Sequence, residues 1–524
     1  MSGAAESTLW HRVSQAGLLL FLVALAVYVA ALGMGSYQLT GDAIQQLGDS
    51  GTIYNQAFLQ ELRDLEGKEY DFVVAFVGDV KAKAVAAAEQ GSPVESWNED
   101  PFFTAVVDAA ARGGVKDNTS LVFWLTFGLG TLGSLLYFLP RLLTTLPGMK
   151  NDGITFSSMK FRGWLGIVTG SAFIGFYVFL YFHPYYVVNW IRLADPIAQA
   201  LRGQPADRWF FYGLLYTFCV LVMAVRFAIH YRHSRYHLVR TASISFFQLG
   251  FAFLIPELMQ ALQVPSMDLK NAWPLNYGFF TDYNVKYLSE SGTVGWALLL
   301  WGIGLSFLVV PALAAFVGKR WYCSWVCGCG GLAETLGDPY RQLSDKSLKA
   351  WRIERWLVHG VLVFAVVMTG AVMYDFFTET PFSPLGFESW KIRSWYGFLI
   401  GSIFAGVVGT GFYPFMGNRV WCRFGCPLAA ILGLVQRFQS RFRITTNGGQ
   451  CISCGNCSTY CEMGIDVRWY AQRGQNIVRA SCVGCGVCSQ VCPRGVLRLE
   501  NGPLAGRLNE VSLVQIGQGR IDVA

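Results

Sequence analysis

Eight apolar runs organise the chain, at about 16–34, 119–139, 163–183, 209–229, 242–262, 294–317, 356–376 and 395–415. Each is long enough to cross a hydrocarbon layer of about 30 Å as a helix. The polar stretch 35–117 separates the first run from the second. Within it, Ala57–Leu65 reads as helix, Tyr70–Val77 as a β-rich run and Lys81–Gln90 as helix again. That pattern predicts a small mixed α/β unit, marginal alone and docked on the membrane part or a partner. The expected fold class is a mainly α integral membrane protein of about eight transmembrane helices with a C-terminal α+β domain. Its predicted parts are an anchor (1–34), an extracytoplasmic acidic domain (35–117), helices two to five (118–262), helices six to eight (263–444), a cysteine-rich domain (445–500) and a Gly-rich tail without assignable structure (501–524).

Charge orients these runs. The loops at 140–162, 230–240 and 318–355 and the junction after 415 are basic, with Arg232, Arg235 and Arg240 in the second, Lys319 and Arg320 opening the third, and Arg419 and Arg423 in the last. The intervening loops mix both signs. The positive-inside rule places the basic set in the cytoplasm. Eight crossings then put both termini inside, with 35–117, which has six Lys/Arg against fourteen Asp/Glu, outside. The location expected is the inner membrane of a bacterium. The first run reads as an uncleaved anchor, because its A-x-A (Ala24–Ala26) lies within the run.

Composition agrees: 53% of the 524 residues are hydrophobic and 14% charged, with a mean hydropathy of +0.37, against about 25% charged in ordinary soluble chains. The net charge of +7 belongs to the loops, and the soluble parts lack the basic, aromatic-laced patch of a nucleic-acid binder. Of 14 cysteines, 13 fall between Cys323 and Cys492, unlike a secreted disulfide framework. Cys219 stands alone in an apolar run.

The sharpest chemistry lies near the end. The spacing C-x2-C-x2-C-x3-C occurs twice, as Cys451, Cys454, Cys457, Cys461 and as Cys482, Cys485, Cys488, Cys492. Three thiolates of such a run wrap one face of an iron–sulfur cube, and the fourth ligates the other cluster. Cys451, Cys454, Cys457 and Cys492 are therefore expected on one [4Fe-4S] cluster and Cys482, Cys485, Cys488 and Cys461 on the second. Zinc is the alternative.

A second cysteine set closes two of the apolar runs. Cys323 and Cys327 follow the sixth and Cys422 and Cys426 the eighth, each as C-x3-C behind a similar flank (Arg320-Trp-Tyr-Cys323, Arg419-Val-Trp-Cys422). This reads as an internal repeat of a helical pair. On a helix, i and i+4 share a face, so two such units could hold a third Fe–S centre or a thiophilic metal such as Cu(I). Inert buried thiols are the alternative. Cys329 has no counterpart in the second copy.

Together these motifs resemble the NapH/NosR/CcoG family of membrane polyferredoxins, well over 295–500 and more loosely over the first four spans, with NosR-type members nearest in layout. The resemblance implies electron transfer linked to the quinone pool or to extracytoplasmic redox partners. The chain departs from the family at Gly328 and at Glu462, where proline is usual, and 35–117 is short for a covalent-flavin domain.

Other signals are weaker. Ser50-Gly51-Thr52 and Ser291-Gly292-Thr293 lack the full flavin-attachment motif and are common turn chemistry. A haem would need two of His183, His230, His233, His237 and His359 at one depth. A quinone site near the inner loops could use His230, His233 or His359 as proton carrier. Trp164, Trp190, Trp209, Trp296 and Trp356 read as interfacial belts. Three functions follow: an electron-transfer subunit working between quinone or a cytoplasmic donor and a redox partner complex, with 35–117 docking an extracytoplasmic partner; a CcoG-like copper reductase or assembly factor; and a redox-sensing scaffold.

Overall fold

The computed structural model describes residues 2–50, 53, 55–89, 100–144, 159–378, 388–447, 450–502, 514–517 and 520–523. Seven helices are long and apolar enough to cross a membrane: Thr8–Gly33, Thr119–Thr144, Gly163–Phe182, Arg208–His230, Arg235–Ala261, Gly292–Val317 and Leu348–Thr378. They match the first seven predicted runs. The eighth run, 395–415, is not among them. It lies on the polar helix Ser389–Tyr396 and a π-helical continuation, Gly397–Val408. Glycine weakens helical preference there, but Gly397 and Gly401 leave room for Tyr277, whose hydroxyl lies 3.1 and 3.0 Å from where their Cβ atoms would be. Trp164, Trp209, Trp296 and Trp356 are exposed. Trp190 instead stacks on Tyr28 at 4.5 Å.

The chain forms two compact units, residues 1–146 with 175–218, and 147–174 with 219–524. In the first, Ser36–Gln38 is the central strand of a three-stranded antiparallel sheet, pairing with Glu69–Tyr70 and Ala111–Arg112. Thr40 and Asn55 cap the helices Gly41–Asp49 and Gln56–Arg63 by accepting from Ala43 and Phe58 N–H. The predicted β-rich run Tyr70–Val77 is corrected: only Tyr70 is strand, and Val73–Glu89 is a helix. A short apolar run does not distinguish the two states. The decision comes from burial, because Phe76, Val77, Val80, Ala84 and Ala87 fall at helical spacing on the core. Tyr185 and Val188 complete that core, so the small domain does not stand alone. Arg192 ties to Asp108 at 2.7 Å, and Asn189 donates to the carbonyls of Ala31 and Met34 at 3.0 Å.

The second unit contains all thirteen clustered cysteines. Its C-terminal domain is closed by Phe442–Thr446, paired antiparallel with Leu497–Asn501 from Phe442↔Asn501 to Thr446↔Leu497. The tail, expected to lack structure, carries two antiparallel strands, Val514–Gly517 and Arg520–Val523. Alternating Val, Ile and polar residues suit strands, a signal masked by the glycines on either side.

Candidate functional site

The two C-terminal cysteine runs fold alike. Ser453 and Gly484 occupy one position of the repeat with φ of 60° and 63°, and Gly455 and Gly486 another with φ of 81° and 77°. These left-handed residues reverse the backbone around a hollow. Gly455 and Gly486 then open the short helices Asn456–Thr459 and Val487–Gln490, which carry the third cysteines, Cys457 and Cys488. Cys451, Cys454, Cys457 and Cys492 line one hollow. Cys461, Cys482, Cys485 and Cys488 line another. Each hollow thus draws three cysteines from one run and the last from the other, the exchange expected from the spacing. Cys454 is exposed, whereas Cys482 and Cys488 are buried.

The donor set can be tested against the groups it would hold. A tetrahedral zinc site with Zn–S near 2.3 Å needs sulfurs about 3.8 Å apart. Among the described residues, no three cysteines have sulfurs within 4.8 Å of one another. Four separated thiols around an apolar hollow fit an iron–sulfur cube instead.

The membrane-face set is also brought together, but not as expected. Cys323, Cys327, Cys422 and Cys426 are buried in one core. The C-x3-C units are not two positions on one helical face. Each is a wide turn closed by an i→i−5 bond, Cys327 N–H to Tyr322 O at 2.8 Å and Cys426 N–H to Trp421 O at 2.9 Å. The second cysteine sits in extended backbone and opens the next helix, Gly328–Glu334 or Pro427–Phe438. The extra residue in the turn breaks the 3.6-residue repeat, so spacing alone misplaced these thiols. Gly328 and Pro427 hold equivalent first helical positions, where proline is favoured but not needed; the departure at Gly328 leaves the turn intact. Cys329 hydrogen-bonds Cys327, which outweighs burial and, with buried Lys270, draws that thiol down to about 6.

The two regions are bolted to each other. Ser324 Oγ donates to Val483 O at 3.0 Å, Tyr236 to Gly484 O at 2.8 Å, Gln436 to Cys482 O at 2.9 Å and Ser344 to Glu462 O at 2.6 Å. Behind them lies a charged group that sequence reasoning missed. Arg240, Glu334, Arg341, Arg419 and Glu462 are all at most 1% exposed. Burial alone would raise the Glu334 carboxyl, but the guanidiniums of Arg240, Arg341 and Arg419 hold it far below the ordinary range. In the sequence, Arg240 and Arg419 stand out only as basic loop residues. The available signal was position: Arg419 stands three residues before Cys422, and Glu462 directly follows Cys461.

The remaining expectations fare differently. Ser291 turns back to Tyr287 O, and Gly292, at φ 69°, starts the next helix; this is turn chemistry. Gly51 and Thr52 lie outside the described residues. Three of the candidate histidines have local partners: His183 with Tyr185 at 2.7 Å, buried His237 with Ser234 at 2.8 Å, and His359 with Arg355 O at 2.6 Å.

Seven helices long and apolar enough to cross a membrane, together with cysteine-lined hollows suited to iron–sulfur clusters, define the class of protein that the chain resembles. Comparison with known proteins agrees. A 4Fe-4S dicluster domain family matches residues 450–497, and a 4Fe-4S binding domain family matches twice, at 299–348 and 396–445. The double match covers both C-x3-C units and coincides with the internal repeat. Similar proteins include YccM of Escherichia coli K12, 26% identical over 194 residues (35% of this chain, 52% of that protein). Another is the methylamine utilization ferredoxin-type protein MauN of Paracoccus denitrificans, 27% identical over 178 residues (33% of this chain, 59% of that protein). The chain thus spans little more than half the length of these relatives. No solved structure matches.

Proposed function

We propose that this chain is an electron-transfer subunit of a bacterial inner-membrane redox complex, of the NapH/NosR/CcoG type, working between the quinone pool or a cytoplasmic donor and a partner. The observation that carries this reading is the convergence of three four-cysteine sets in one compact unit. Cys451, Cys454, Cys457 and Cys492 hold one [4Fe-4S] cluster, and Cys461, Cys482, Cys485 and Cys488 the second. Cys323, Cys327, Cys422 and Cys426 hold a third centre. Bound there, iron–sulfur clusters supply one-electron exchange. The chain's part is to hold the thiolates, exclude water from the inner two sets and leave the set of exposed Cys454 accessible to a soluble partner.

The helical stretch Ser389–Val408 completes an eighth crossing in this reading, and the basic loops keep the C-terminal domain cytoplasmic. The acidic residues of 35–117 face an extracytoplasmic partner. Arg352, Trp356, Gly360 and Phe364 line an open groove one turn from His359, suited to a quinone ring and tail with His359 as proton carrier.

Iron and acid-labile sulfide counts on anaerobically purified protein test this. About twelve irons are expected, falling to about eight when Cys422 and Cys426 are changed to Ser. About eight in the parent protein removes the third centre, and stoichiometric copper at these cysteines favours the metal-handling alternative. Quinol should bleach the iron–sulfur absorbance; no bleaching with any quinol defeats the quinone link.

A further inference from the structure

The buried arginines and glutamates lie between two of the cysteine sets, and their contacts run to the sulfurs. Glu334 accepts from Arg240 at 2.8 Å, Arg341 at 2.9 Å and Arg419 at 2.6 Å. Glu462 accepts from Arg341 at 2.7 Å and pairs with Arg419 at 3.1 Å. Beyond the carboxylates, Arg419 Nη1 reaches Cys422 Sγ at 3.8 Å and Cys323 O at 3.2 Å. Arg341 Nη1 reaches Cys485 Sγ at 3.9 Å, and Arg240 donates to Cys485 O. Glu334, Glu462 and Cys485 also lie close enough to hold a cation, but three guanidiniums already occupy these carboxylates.

We propose that this group is a potential-setting bridge between the centre of Cys461, Cys482, Cys485 and Cys488 and the centre of Cys323, Cys327, Cys422 and Cys426. The inference rests on the reading that both sets hold iron–sulfur centres, and it goes further by assigning positioning residues that link their reduction. Three guanidiniums against two carboxylates leave one positive charge in excess, out of water. Asp338, bound to Arg341 at 3.2 Å and Arg226 at 2.9 Å, brings its own cation and does not cancel it. Reduction adds negative charge to a cluster. Positive charge and N–H donors at the sulfurs favour the reduced form, strongly so where the surroundings are dry. Arg341 and Arg419 share both carboxylates, so neither can turn toward its own sulfur without loosening the other. Each centre therefore feels the charge on its neighbour. Glu462 is the common anchor, which gives a purpose to a carboxylate where proline is usual.

The test is an EPR-monitored redox titration of Glu462→Gln, with the two centres assigned by comparison with the Cys422→Ser protein. Removing one buried negative charge without changing shape should raise both potentials, each by at least tenfold in equilibrium constant, or 59 mV for one electron. A rise at neither centre, or only at the one containing Cys461, overturns the bridge. If Glu462→Gln loses iron, Arg341→Lys and Arg419→Lys carry the test. They keep the charge but lose the fork, and each should lower both potentials. Unchanged potentials, or loss of iron from all three variants, would mean a structural role only. A parent iron count of about eight fails the underlying reading before any variant is compared.

Discussion

Replacing Glu334 by Ala takes a buried carboxylate away from three arginines at once. The carboxylate accepts from three guanidiniums at 2.6–2.9 Å and is 0% exposed. Hydrogen bonds to charged groups contribute about 1.5–3 kcal/mol each, but the three do not simply add. Arg341 keeps Glu462 and Asp338, and Arg419 keeps Glu462. Arg240 loses its only ion-pair partner among the described residues and is left with the Cys485 carbonyl. The expected loss is that of one broken buried pair, about 3–5 kcal/mol. The control is Glu388→Ala, which removes an exposed pair with Lys391 at 3.2 Å and should leave stability nearly unchanged. Denaturant unfolding in detergent, followed by tryptophan fluorescence, measures both. A loss below about 1 kcal/mol for Glu334→Ala, equal to the control, would refute the claim that Glu334 holds a buried ion-pair network together.

Gly330→Ala should expel the membrane-face centre: its Cβ would lie 1.9 Å from Cys323 O and 2.9 Å from Cys323 C, backbone atoms that cannot move aside. Overpacking costs about 1–3 kcal/mol, and the readout is a drop of about four irons with the two C-terminal clusters retained. Asn189→Ala strands the carbonyls of Ala31 and Met34 and should cost about 1–3 kcal/mol, seen as faster proteolysis of 35–117. Burial holds the Asp195 carboxyl above its ordinary range, partly offset by the hydrogen bond from Ala206 N–H. A raised carboxyl favours the folded state below its unfolded value and loses that advantage as pH rises through the folded one. Asp195→Asn, which can still accept that bond, should therefore be neutral near pH 3 and stabilising at pH 7; equal midpoints at both pH values would contradict the burial.

Much of this protein was legible in one dimension. Seven of the apolar runs became long helices because burying twenty apolar residues in hydrocarbon needs no information from distant parts of the chain. The cysteine runs were equally readable. Their spacing and the left-handed residues at Ser453, Gly455, Gly484 and Gly486 are local, so the sorting of eight cysteines into two hollows could be stated in advance. Local patterns failed where a choice depended on partners. Val73–Glu89 had apolar residues compatible with strand or helix, and only the core of Phe58, Phe103 and Tyr185 selected the helix. The C-x3-C units had a spacing compatible with a helical face, and only the repeated wide turn revealed their geometry. The charges misled most. Arg341, Arg419 and Arg423 look like ordinary cytoplasmic loop residues, yet they are buried because Glu334, Glu354 and Glu462, from distant parts of the sequence, meet them there. Thiol spacing is a property of a short segment and is set by the sequence itself. Whether a charge is solvated or buried depends on which opposite charge the fold brings to it, and that is decided only in three dimensions.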